Sequence, residues 1–185
     1  AERTIAKIYK RFIAVSQSTK NTLVDKLGID PDRIAVVPNG VDLEKYRPGQ
    51  KDPRPTVLWV GRIKKYKNLD HLLRAYRTVK QKVPDAQLII IGSGDQERNM
   101  RDLAKALGLR DVHFLGKIPE EEKIRWMQRA WILASTSMVE GWGMTVTEAA
   151  ACGTPAVAYD VPGLRDSVRH METGILVEPG DIGQL

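Results

Sequence analysis

The chain is 185 residues long, 42% hydrophobic and 28% charged, the balance of an ordinary soluble globular protein and not of a disordered one. No apolar run approaches the roughly 18–20 residues that span a bilayer, which excludes a transmembrane helix. One cysteine, Cys152, excludes an internal disulfide and suits a reducing compartment, and three scattered histidines beside it give no structural zinc site.

The N-terminus lacks an apolar signal-peptide core and an initiator Met, so it reads as the start of a cut segment. Phe12-Ile13-Ala14-Val15 reads as a strand. Ser18 to Leu27 reads as a helix, with Ser18 as N-cap and Gly28 as its stop. Arg33 to Val37 is a second strand, halted by Pro38-Asn39-Gly40. Residues 47–55 carry three prolines and a glycine without periodicity and form the linker candidate. Strands and helices then alternate. Thr56–Val60 precedes a helix over Leu69–Val83, and Gln87–Ile91 precedes one over Gln96–Leu107. Val112–Leu115 precedes a helix over Glu120–Arg129, and Trp131–Ala134 precedes one over Thr145–Cys152. Ala156–Tyr159 and Gly174–Val177 are the last strands. Continuous runs such as Leu88-Ile89-Ile90-Ile91 suit parallel strands buried on both faces. The alternation predicts an α/β domain built on a doubly wound parallel sheet.

Open parallel sheets bind ligands beyond the carboxyl ends of their strands, and glycines gather there. Gly61-Arg62 follows the first strand of the alternation, Gly92-Ser93-Gly94 the second, Gly116-Lys117-Ile118 the third, and Ser135 to Gly143 the fourth. Arg62 and Lys67 flank one short loop and suit a pyrophosphate, Arg as a fork and Lys as a point charge. The net charge, 29 − 23 = +6, suits such an anion or simply solubility. Glu140 and Glu148 bracket Gly-Trp-Gly-Met-Thr-Val-Thr. Glu140 lies before the helix, whose N-terminal amides favour phosphate. Glu148 lies about one turn inside, where its carboxylate suits a vicinal diol or simply the helix dipole.

Other features read as structure. Gly92-Ser93-Gly94 lacks the third glycine of a dinucleotide fingerprint and follows the wrong strand. Asp30-Pro31-Asp32 matches the Asp-x-Asp of metal-dependent sugar transferases, yet sits in a turn remote from the glycine rim. Cys152 is a small packed residue. Trp59, Trp126 and Trp131 belong to the core, and Trp142, between two glycines, suits a pocket wall.

These segments occur in a telling order: Val60-Gly61-Arg62, Lys67-Asn68, Ile91-Gly92-Ser93-Gly94, Phe114-Leu115-Gly116, Glu140 to Glu148, Ala151-Cys152-Gly153-Thr154-Pro155 and Thr173-Gly174-Ile175-Leu176-Val177. Together they resemble the nucleotide-sugar-binding lobe of retaining glycosyltransferases of the group 1 (family 4) type, which have the GT-B fold. Val37 to Asp42 is similar to that family's approach to its interdomain hinge. The resemblance implies a tail of the N-terminal, acceptor lobe over residues 1–46, a hinge over 47–55, and a Rossmann-like donor-binding domain over 56–185 that is truncated at its C-terminus.

It also implies roles. Arg62 and Lys67 hold the donor pyrophosphate, Glu148 the ribose hydroxyls and Glu140 the transferred sugar. The amides of Gly141, Trp142, Gly143, Met144 and Thr145 meet sugar hydroxyls and phosphate. Gly116, Lys117 and Ile118 meet the nucleobase, and Gly61, Ser93 and Gly94 line the same pocket. The expected partners are a UDP-, GDP- or ADP-linked sugar and an acceptor glycan, lipid or small molecule held by the N-terminal lobe. No cofactor, metal or nucleic acid is expected. The expected setting is the cytoplasm, with the inner membrane face open to the full-length protein, and the isolated chain is expected to bind nucleotide but transfer sugar poorly. The alternatives are another GT-B enzyme, such as a sugar-nucleotide epimerase, and a non-catalytic nucleotide- or nucleic-acid-binding module.

Overall fold

The computed structural model of the protein describes residues 8–185. At its start, β1 (Phe12–Ala14) and β2 (Ile34–Val36) pair in parallel around α1 (Gln17–Leu27). Ala14, Ile29 and Ile34 are the buried centre of this small unit. α1 is capped by Ser16 and not by Ser18. The Ser16 hydroxyl accepts the Thr19 amide at 3.0 Å, while the Ser18 amide is taken by Asp166 at 3.1 Å. Gly28 ends the helix in the left-handed region at φ 65°, returning its amide to Leu23 and Val24. Asp30 caps a 3-10 turn over Pro31–Arg33 and accepts the Asp32 amide at 2.9 Å, which is the turn chemistry expected of Asp-x-Asp here.

The main sheet holds β3 (Thr56–Val60), β4 (Gln87–Ile91), β5 (Val112–Gly116), β6 (Ile132–Ser135), β7 (Ala156–Tyr159) and β8 (Gly174–Val177). They run parallel in the order β5-β4-β3-β6-β7-β8. Successive side chains of a strand face opposite ways. Val57 and Trp59 therefore enter one core with Leu88 and Ile90, and Leu58 enters the other with Ile89, Ile91 and Leu133. The first core is closed by α2 (Leu69–Lys82) and α3 (Glu97–Ala106). The second is closed by α4 (Glu120–Arg129), α5 (Met144–Ala151) and the short α6 (Leu164–Ser167). The sheet is thus the Rossmann-like, doubly wound sheet read from the sequence.

Residues 47–55 contain neither helix nor strand, yet they are pinned. The Lys51 ammonium reaches the Ala130 carbonyl at 2.8 Å and the Thr154 hydroxyl at 2.5 Å. Asp52 is buried and pairs with Arg129. Its carbonyl accepts the Trp131 indole N–H at 2.7 Å. Trp131 corrects an expectation: it precedes β6 and is 47% exposed, because its ring lies over this segment and not in the core. Trp126 is half-buried under Arg129 and Trp59 is fully interior.

Asp111 ties this segment to the sheet, taking Arg54 at 2.5 Å and Lys80 at 2.6 Å. Lys80 first, then Arg54, hold its carboxyl down to about 2. A depressed pKa stabilises the fold above the unfolded value of about 3.9 and loses that contribution as pH falls toward 2. Asp111→Asn is therefore expected to lower unfolding free energy by about 1–2 kcal/mol at pH 7, discounted for partial exposure. The difference from wild type should shrink steadily as pH falls from about 5 and be lost only below about 2, and urea unfolding at pH 7, 4 and 2 checks it. No helix among the described residues is long and apolar enough to cross a membrane.

Candidate functional site

In the order β5-β4-β3-β6-β7-β8 the winding reverses between β3 and β6, and an open parallel sheet leaves a crevice at such a point. The loops that leave these two strands meet there. The Thr136 hydroxyl donates to the Lys67 carbonyl at 2.7 Å and the Met138 amide to the Tyr66 carbonyl at 2.9 Å. This lacing brings the Lys67 ammonium onto the Glu140 carboxylate. Both side chains are mostly buried, at 16% and 21% exposure. Arg62 joins them through Tyr66, whose hydroxyl accepts its guanidinium at 3.3 Å, and the Tyr66 ring lies 5.3 Å from the Lys67 ammonium. Arg62 and Lys67, read from the sequence as a pair, and Glu140, singled out apart from them, thus form one cluster. Tyr66 was not foreseen, and its place inside the lysine cluster gave no signal beyond an exposed turn.

The glycines shape this rim. Gly92 has φ 126°, and a Cβ on it would run into the Gly61 carbonyl oxygen; one on Gly94 would run into the Ile63 carbonyl. The Ile63 amide donates to the Ser93 carbonyl at 2.9 Å, and the Gly92 amide to the Gly116 carbonyl at 2.7 Å. Gly92-Ser93-Gly94 is therefore the brace that packs the β4 loop between those of β3 and β5. Gly116 ends β5 at φ 70°. Lys117 beyond it is exposed and Ile118 half-buried against the core.

Gly143 opens α5 at φ 83°, where a Cβ would press on Leu164 and Ser167. The helix starts at Met144, one residue before the expected Thr145. The Val146 and Thr147 amides donate to the Gly143 carbonyl at 2.9 and 3.4 Å, while those of Met144 and Thr145 precede any helical acceptor and lie directly after the Glu140 loop. Trp142 is half-buried, and its indole N–H is buried with no hydrogen-bond partner among the described residues. Gly163 packs on the Glu140 carbonyl so closely that no Cβ fits. Asp166 accepts the amides of Gly163 at 3.0 Å and Ser18 at 3.1 Å. Burial opposes its ionisation, but hydrogen bonds from Ser18, Gly163 and Gln17 outweigh burial and hold the carboxyl below its ordinary range. This clamp seats α1 against the rim and leaves a cleft of about 370 Å3 between α1 and Met138–Gly141, with Glu140 in its wall. A wider groove of about 690 Å3 between α2 and α3 contains none of Arg62, Lys67, Glu140 or Glu148, whereas the smaller cleft contains Glu140 of the four.

Glu148 lies on α5, held by Lys123 of α4 at 2.8 Å. The side chains are 13% and 20% exposed. The Lys123 ammonium also lies 5.2 Å from the Tyr46 ring. The Tyr46 hydroxyl donates to Glu120 at 2.7 Å. Burial first, then this bond and the charges of Glu148 and Glu120, raise the Tyr46 phenol far above its ordinary value. Lys123 and Tyr46 were missed in the sequence because one follows three glutamates and reads as a solvated helix face, while the other sits in an irregular turn. Cys152 is fully buried and packed, as expected. Among the described residues no group of three or more His, Cys, Asp or Glu side chains is placed to hold a metal ion.

Comparison with known proteins places these features in a lineage. Residues 42–185 match the family model of glycosyl transferases group 1, and residues 1–45 that of Glycosyltransferase Family 4. A D-inositol 3-phosphate glycosyltransferase of Mycobacterium sp. (strain KMS) is 37% identical over 198 residues, covering 98% of this chain and 44% of the relative. The chain thus spans less than half the length of the curated relatives it matches. Among solved structures, sucrose-phosphate synthase from Thermosynechococcus elongatus is 28% identical with a TM-score of 0.86, over 98% of this chain and 48% of that one. Anabaena HepE in complex with UDP-glucose is 24% identical with a TM-score of 0.84, over 98% and 56%.

Proposed function

The chain belongs to the group 1 glycosyl transferases, and from that membership we propose that it is the donor-binding part of a retaining enzyme that moves a hexose from a nucleotide-diphosphate sugar to an acceptor hydroxyl. The observation that carries this reading is the meeting of Lys67 and Glu140, with Arg62 beside them, at the winding reversal of the sheet. Breaking the sugar–phosphate bond moves an electron pair onto the diphosphate. Fixed cations and the α5 N-terminus stabilise that charge as it develops. Arg62 and Lys67 hold the pyrophosphate in this scheme, and this is the charge that a metal supplies elsewhere, so the reaction needs none. The sugar passes through an oxocarbenium-like state, and Glu140 orients and stabilises it without attacking it. Glu148 accepts the ribose hydroxyls, and Gly116 to Ile118 meet the base. The hinge over 47–55 and the N-terminal acceptor lobe to which residues 1–46 belong are part of the same reading. The UDP-glucose named with the Anabaena structure makes UDP the first nucleotide to try, and the mycobacterial relative makes inositol 3-phosphate the first acceptor.

Calorimetric titration with UDP, GDP and ADP, with and without EDTA, tests the reading in the natural protein that carries this sequence. One of the three should bind, EDTA should change nothing, and Glu148→Ala should weaken binding by about 1–3 kcal/mol. Failure of all three to bind, or binding that EDTA abolishes, would overturn it.

A further inference from the structure

Resting on the reading of Glu148 as the ribose carboxylate, we propose that Lys123 is a positioning residue for nucleotide recognition, locking that carboxylate in the orientation that receives a vicinal diol. Four observations converge on Lys123. Its ammonium donates to Oε2 of Glu148 at 2.8 Å. Its other side lies 5.2 Å from the Tyr46 ring, within cation–π range. That ring is itself fixed, because Tyr46 is 5% exposed and its hydroxyl is held by Glu120. Finally, α4 begins at Glu120, with only Pro119 between it and Gly116 to Ile118, the segment expected at the base.

The physical consequence is preorganisation. A free glutamate side chain loses up to about 2 kcal/mol of rotamer freedom when a ligand fixes it. Here Lys123 has removed that freedom before the nucleotide arrives. A carboxylate offers about four lone-pair sites, so one lysine bond leaves acceptors for two hydroxyls. Lys123 also ties α4 to α5. The base segment and the ribose carboxylate are thereby held at a fixed separation, and ribose and base are read as one unit. The lysine also offsets the burial of the Glu148 charge.

The test compares the tightest-binding of UDP, GDP and ADP with its 2′,3′-dideoxy form, in the natural protein that carries this sequence. Wild type should prefer the ribonucleotide by about tenfold or more. Glu148→Gln should erase most of that preference. Lys123→Met should erase it to a similar extent while leaving affinity for the dideoxy form nearly unchanged, and Lys123→Arg should restore it. A merely structural lysine would weaken both ligands equally. If Glu148→Gln erases the preference and Lys123→Met keeps it, Lys123 has no positioning role and the reading of Glu148 stands. If wild type shows no preference, or Glu148→Gln keeps it, the ribose reading fails and the proposal with it. Should Lys123→Met not fold, Lys123→Ala, which likewise has no donor, gives the same comparison, and retention of the full preference there overturns the lock.

Discussion

Replacing Gly92 by alanine should cost about 3 kcal/mol or more, a fall of roughly 10 °C in Tm for a chain of this size. Two penalties coincide at this residue. Its φ of 126° is a conformation that L side chains rarely adopt, and the added Cβ would enter the space of the Gly61 carbonyl oxygen, a backbone atom that cannot rotate away. Relief would require the β3 and β4 loops to part. That movement would break the 2.7 Å bond from Gly92 to Gly116 and the 2.9 Å bond from Ile63 to Ser93, and with them the rim on which Arg62 stands. Gly116→Ala is the control. Its φ is 70° and nothing lies within 4 Å of its Cβ position, so it should cost only the left-handed penalty of about 1–2 kcal/mol. Thermal melts of the two variants decide the matter. Equal losses would mean that the close approach of the Gly61 carbonyl adds nothing to the backbone strain at Gly92.

The contrast between these two glycines shows where reading the sequence stops. A glycine after a strand is legible as a loop residue. Which glycine a carbonyl presses on is a property of the folded neighbourhood. The same division runs through the molecule. β3, β4, β7, β8 and α4 fall on the residues read from the chain, because continuous apolar runs and a charged helix start carry their own boundaries. α1 starts differently because Ser16 and Ser18 are equally good caps locally, and Asp166, 148 positions away, claims the Ser18 amide. β6 begins after Trp131 because Asp52 draws the indole out of the core. α6 is four residues long, too short for any periodicity to show. At the site, the residue types with strong chemistry were visible only beside their neighbours along the chain, Arg62 with Lys67 and Glu140 with Glu148. Their partners were not, since Lys67 with Glu140 and Lys123 with Glu148 pair through the sheet order and the packing of α4 on α5.

The pairing of Lys67 with Glu140 leads to the second large effect. In the natural protein that carries this sequence, Lys67→Met should lower kcat by about 10²–10³-fold, the usual cost of removing a preorganised charge from a developing oxyanion. Glu140→Gln should lower it as well. The two losses should not add. In the ground state the carboxylate of Glu140 takes the Lys67 ammonium at a site where both are about four-fifths buried. If Lys67 holds the donor diphosphate as proposed, deleting it does more than remove a cation from that leaving group. It strands a partly buried carboxylate, free of its counter-ion, close to a group that is gaining negative charge. Lys67→Met should therefore be the more damaging single change, and the double variant Lys67→Met/Glu140→Gln should fall well short of the product of the two defects. Stability should separate the causes: the double variant, lacking both charges, should unfold at a temperature nearer to wild type than Lys67→Met does. Steady-state kinetics on the four proteins, each with its thermal melt, form a complete double-mutant cycle. Strictly multiplicative kinetic losses would mean that the two side chains act on the donor independently, and that their contact across the winding reversal of the sheet has no part in the transfer.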